Sequence, residues 1–89
     1  MATNIRNQLQ DNYDQELLFA DEFDDCIIGV SEDFGTVRVV YCVEKMIEHL
    51  MSYGDSYTEA LEYLEYNTLN AWVGEHTPIY MEPKECFMI

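Results

Sequence analysis

Residues 36–51, "TVRVVYCVEKMIEHLM", change their hydrophobic period with no loop in between, and this constrains the fold more than any other stretch. Up to Tyr41 the pattern alternates, with Val37, Val39 and Tyr41 on one face and Arg38 and Val40 on the other. From Cys42 the spacing becomes helical, because Val43, Met46, Ile47, Leu50 and Met51 fall at i, i+3, i+4, i+7 and i+8. A strand therefore leads into an amphipathic helix whose outer side carries Glu44, Lys45, Glu48 and His49. Gly54 is the expected left-handed stop.

The other elements are read outward from this junction. "CIIGV" is a second β-branched run, joined to "TVRVVY" through "SEDFG", and the pair reads as a hairpin with a five-residue connection. Ser56 with Glu59 three residues later is a capping box, opening a helix that runs to about Val73 and stops at Gly74. Stepped at 100° per residue, Tyr57, Leu61, Leu64, Thr68, Ala71 and Trp72 form its core stripe. "TPIYM", residues 77–81, reads as a short edge strand begun by Pro78. At the other end, Ile5, Leu9, Tyr13 and Leu17 make a narrow apolar stripe that predicts a helix over residues 3–20, with Thr3 as its cap and loose attachment to the body. "DEFDD", residues 21–25, reads as a solvated linker, since its four carboxylates repel one another in a helix. The tail "EPKECFMI" has no assignment. The expectation is an α+β domain in the order α-β-β-α-α-β: a small antiparallel sheet, made of the hairpin and a short C-terminal strand, packed with two or three helices.

Length makes this a single domain spanning residues 1–89, with its core over 26–81, since a chain this short cannot support two independent cores. Hydrophobic content of 48% is enough to offset the entropy of ordering. Charge is the anomaly: 18 Asp and Glu stand against Arg6, Arg38, Lys45 and Lys84, a net of −14. Such an imbalance raises the energy of the compact state, so it points to a cationic partner. Direct binding to nucleic acid or to an anionic membrane is disfavoured, because both are held mainly by Lys and Arg. Salt adaptation and solubility are the competing explanations.

Candidate chemistry is sparse. His49 lies on the polar side of a helix and His76 in a Gly-Glu-His-Thr-Pro turn, where its ring is expected to cap a backbone group; neither has a nucleophile or an orienting group beside it. "DEFDD" has Phe23 and Cys26 where a calcium loop of the EF type needs an acid and a glycine. Cys26, Cys42 and Cys86 form no CxxC pair, and with a polar start "MATNIRNQLQDNY" they suggest reduced thiols in a cytoplasmic setting. The reading is a non-enzyme with no cofactor and no metal.

What remains is the acidic surface. Asp55, Glu59, Glu62 and Glu65 fall together on the last helix, continued by Glu44 and Glu48 on the preceding one, and Tyr63 and Tyr66 flank them. Residues three or four apart on a helix lie roughly 5 to 6 Å from each other, comparable to the spacing of phosphates along a duplex strand. The bland alternative is two ordinary solvated faces. An ordinary face mixes signs for i to i+4 pairing, and on these faces only Lys45 does so. Tyr63 and Tyr66 are either interface anchors or core-edge packing.

Between about Asp25 and Tyr80 the chain carries "IIGVSEDFG", "VVYCVEKMIEHLM" and "EALEYLEYNTLNAWVGEHTPIY". Over these roughly two thirds of its length it resembles a group of small, mostly uncharacterised proteins encoded by tailed bacteriophages and prophages. The most specific portion holds Glu59, Ala60, Asn67, Ala71, Trp72, Val73, Gly74, Glu75, Thr77 and Pro78. The group usually places Asp near Cys42, where this chain has a poorer helix cap. The resemblance implies a phage origin and supplies no activity. By analogy, small acidic phage proteins include inhibitors of restriction or CRISPR defence that imitate nucleic acid. The leading expectation is therefore a binder that blocks a basic nucleic-acid-handling protein in the host cytoplasm. The alternative is an assembly or adaptor protein acting through apolar and aromatic surface, for instance a homodimer through the Ile5, Leu9, Tyr13 and Leu17 stripe.

Overall fold

A computed structural model describes residues 5–69 and 71–82. Helix α1 (Ile5–Asp11) is followed by an irregular stretch and a 3-10 turn at Asp24–Cys26. Strands β1 (Ile27–Asp33) and β2 (Thr36–Cys42) come next, then α2 (Val43–Met51), α3 (Tyr57–Leu64), a π-helical turn (Glu65–Leu69) and β3 (Ile79–Met81). The fold is α+β in the expected order, with α1 before the hairpin and α2 and α3 between β2 and β3.

The sheet order is β1-β2-β3, and β1 pairs with β2 antiparallel, with Asp33 opposite Thr36. The turn is thus two residues long, not five: Ser31, Glu32 and Asp33 belong to β1, and only Phe34 and Gly35 reverse the chain, both at positive φ (52° and 82°). Two positive φ values match the right-handed strand twist, as in a type I′ turn. The third strand corrects the antiparallel expectation. β3 runs parallel to β2, with Val40 opposite Ile79 and Cys42 opposite Met81, because α2 and α3 together carry the chain back across the sheet, as a parallel connection requires.

The period change at Cys42 appears as read. Val37, Val39 and Tyr41 are buried on one face of β2, and Val43, Met46, Ile47 and Leu50 are buried along α2. The capping box is complete: Ser56 Oγ accepts from the Glu59 N–H, and Glu59 returns a carboxylate oxygen to the Ser56 N–H. Beyond Leu64 the expectation of one regular helix to Val73 fails. A π turn closes the helical run at Leu69, and residues 71–73 lie outside any helix. At the other end Tyr57 is already turned outward in the first turn of α3, so the stripe predicted from Tyr57 to Trp72 does not stay inward. Leu64 and Ala60 are buried, whereas Tyr57 is 43% and Trp72 73% exposed.

The N-terminal segment also differs from its reading. Thr3 lies outside the described residues, and the helix ends at Asp11, where the Asn12 side chain donates to the Gln8 carbonyl. Gln10 then fixes the irregular chain, donating to the Gln15 carbonyl and accepting from the Leu17 N–H at 2.9 Å. Leu17 is buried in the core, with Leu9 and Tyr13 packed against it, so this segment is docked on the body and not loosely attached. "DEFDD" is no solvated linker either: Phe23 is 3% exposed and meets His49 edge-on at 5.3 Å between ring centroids. A large aromatic outweighs its acidic neighbours because those carboxylates can remain in water while the ring packs.

Candidate functional site

The predicted acidic residues occupy two packed helices. Buried residues of α2 centre on Val43, Met46, Ile47 and Leu50, which places Glu44 and Glu48, one turn apart, on one flank of its outer side. On α3 the buried Ala60 and Leu64 leave Glu59 and Glu62 on the opposite, outer face. Tyr57 ties the two helices together by donating its hydroxyl to Glu44 Oε1 at 3.3 Å. Asp55, half-buried, lies in the connection just after Gly54, whose φ is 109°. Glu65 is the C-cap residue of α3 and the first of the π turn. Glu48, Glu59, Glu62 and Glu65 are exposed and Glu44 is half-buried.

Of these, Glu59 has a structural duty in the capping box and Glu44 a partner in Tyr57, while Glu48 and Glu62 stand out into solvent. Among the described residues the ion pairs lie elsewhere. Arg6 meets Asp24 at 2.8 Å and Asp21 at 3.6 Å, and His49 approaches Asp25 at 3.7 Å. Arg38 is turned to the Thr77 carbonyl at 2.6 Å. Lys45 is exposed on the same outer side, one turn before Glu48, with which it lines a shallow pocket that also holds Asp25 and His49. Thus among the described residues Glu44, Glu48, Glu59 and Glu62 make no ion pair, and Lys45 is the one Lys or Arg beside them.

The flanking tyrosines separate. Tyr66 projects from the π turn at 90% exposure, and Tyr63, at 43%, lines a cleft. This cleft, about 530 Å³, lies between the segment around residues 18–23 and the π turn, with Phe19, Val73 and Tyr80 among its walls and Asp21 and Glu22 on its segment side. Burial raises the Tyr80 hydroxyl above its ordinary pKa. Sequence reasoning missed this cleft, and it turned Trp72 inward, because it carried a regular helix to about Val73 where the helical run ends at Leu69. Glu22 at φ 75° is the local irregularity that shapes the segment, and an acid at a left-handed position has no sequence signal of its own.

His76 is a capping residue, as its turn suggested: its Nδ1 donates to the Val37 carbonyl at 2.8 Å. Cys26 and Cys42 are free and buried, and burial, with Asp25 beside it, pushes the Cys26 thiol up to about 12. No group of three or more His, Cys, Asp or Glu side chains able to hold a metal ion occurs among the described residues. None of the described helices is long and apolar enough to cross a membrane.

Fold and surface together define a small, strongly acidic α+β domain with carboxylates facing outward from two packed helices. Comparison with protein-family models, with curated proteins and with solved structures finds no match.

Proposed function

We propose that this chain is a phage-encoded, non-enzymatic protein that binds and blocks a basic nucleic-acid-handling protein of the host, its carboxylates taking the place of phosphates. The observation that carries this reading is the uncompensated acid on α2 and α3. With a net charge of −14, Arg6 is engaged by Asp21 and Asp24 and Arg38 by the Thr77 carbonyl. Lys45, beside Glu48, is the one Lys or Arg among the described residues on this surface, where it makes no ion pair with Glu44, Glu48, Glu59 or Glu62. Asp55 and Glu65 extend the acidic surface at either end of α3. A Lys- and Arg-lined groove shaped for a phosphate backbone would attract such a surface at long range and hold it at short range. The phage origin rests on the resemblance of residues 25–80. Host cytoplasm is the setting that this origin and the reduced cysteines favour, and no cofactor enters the reading.

The test is capture of host proteins on the immobilised chain at low and moderate salt, with duplex DNA as competitor. A nucleic-acid-binding protein that elutes as salt rises and is displaced by duplex is the expected result. Recovery that is indifferent to both salt and duplex would refute the reading.

A second reading is favoured by one observation: Tyr66, Trp72 and Val73 are 90%, 73% and 60% exposed close to one another in the chain. Large aromatics left in water are the usual anchors of protein interfaces, and they support an adaptor role through apolar surface. Under this reading Trp72→Ala abolishes the complex and Glu→Gln changes leave it intact.

A further inference from the structure

The cleft beside Tyr63 differs in chemistry from the acidic helix faces. Its walls are aromatic and apolar, with Phe19, Tyr63, Val73 and Tyr80, while Asp21 and Glu22 supply carboxylates on one side. At about 530 Å³ it has room for a long side chain and none for a folded element. Apolar walls beside carboxylates suit a ligand that is apolar along its stem and cationic at its tip.

The same segment of chain already grips a guanidinium. Arg6 places Cζ 5.2 Å from the centre of the Phe19 ring, donates from Nη2 to the Ala20 carbonyl at 3.3 Å, and lies 3.6 Å from Asp21. Phe19, Ala20 and Asp21 also line the cleft. The segment thus combines a ring face, a carbonyl and a carboxylate, a set that holds the planar, weakly hydrated guanidinium better than an ammonium. Arg6 uses this set from the α1 side, and Glu22 adds a second carboxylate on the cleft side.

We propose that the cleft seats an arginine side chain of a basic protein partner, its stem against Tyr63 and Val73 and its guanidinium toward Asp21 and Glu22. The inference rests on the reading of the chain as a binder of a basic protein and adds to it one anchoring pocket. Exposed Tyr66 and Trp72 lie close by in the chain and supply contact area around that anchor.

The experiment titrates acetyl-arginine amide into the full chain while backbone amide resonances are followed, with acetyl-norleucine amide as the neutral comparator. Saturable shifts at Phe19, Tyr63, Asn67 and Val73 are expected, with the neutral probe weaker by about fivefold. Glu22→Gln and Tyr63→Leu, both at exposed positions, should each weaken the arginine probe by about threefold. Equal binding of the two probes, or linear shifts spread over acidic residues across the whole surface, would overturn the proposal. No partner protein is involved, so the cleft can fail while the acid-face reading stands. Failure of that reading would show separately in Gln variants of α2 and α3.

Discussion

Gln15 and His76, from opposite ends of the chain, complete the backbone hydrogen bonds of a single residue. The Val37 N–H donates to Gln15 Oε1 at 3.0 Å, and the Val37 carbonyl accepts from His76 Nδ1 at 2.8 Å. β3 pairs with β2 only from Val40 to Cys42, so these two side chains continue the ladder where the third strand stops short. An unpaired backbone group beside a side chain that is 1% exposed would be costly. Gln15→Ala and His76→Ala should therefore each lower stability by about 1–2 kcal/mol in urea unfolding.

The hairpin tip is less stable than its sequence could make it. Phe34 is fully exposed at φ 52°, a position that asparagine occupies with less strain. Phe34→Asn should raise stability by about 1 kcal/mol, read as a higher thermal midpoint.

Because Trp72 lies beyond the helix and is 73% exposed while Leu64 is buried, these two large residues should behave in opposite ways. Leu64→Ala opens a cavity at a fully buried site and should cost about 2–5 kcal/mol. Trp72→Ala should change stability by about 0.5 kcal/mol or less in the same unfolding assay.

High pH should destabilise the fold. Burial raises the thiol of Cys26 from 9.0 to about 12 and the hydroxyl of Tyr41 from 10.0 to about 12, so in this range the native state holds protons that the unfolded state has released. The contribution of both groups is complete below pH 9 and is lost as pH rises toward 12. Urea midpoints should be flat between roughly pH 7 and 8.5 and then fall, and Cys26→Ala should flatten the first part of that fall.

The fold was largely legible because two signals were local and strong. The period change at Cys42 set β2 and α2, and Ser56 with Glu59 set the start of α3. What could not be read came from contacts distant in sequence. The parallel direction of β3 depends on how two helices carry the chain back, and Gln10, through Gln15 and Leu17, decides that α1 is short. Phe23 overrode four acidic neighbours by packing on His49. At the site, individual acids could be placed by helix phase, but the cleft at Tyr63 follows from a π turn at Glu65–Leu69 that no residue in that run announces.

The central claim is that carboxylates on α2 and α3 bind a basic protein by their charge. Glutamine at positions 44, 48, 59 and 62 keeps the shape of each side chain, and at 59 it still satisfies the capping box. The decisive measurement is the affinity of the Glu44→Gln, Glu48→Gln, Glu59→Gln, Glu62→Gln variant and of the parent chain for the captured partner across a salt series. The account predicts that the parent's affinity falls steeply with salt and that the variant binds weakly, with a much shallower slope. Equal affinities and equal slopes for the two proteins would contradict it.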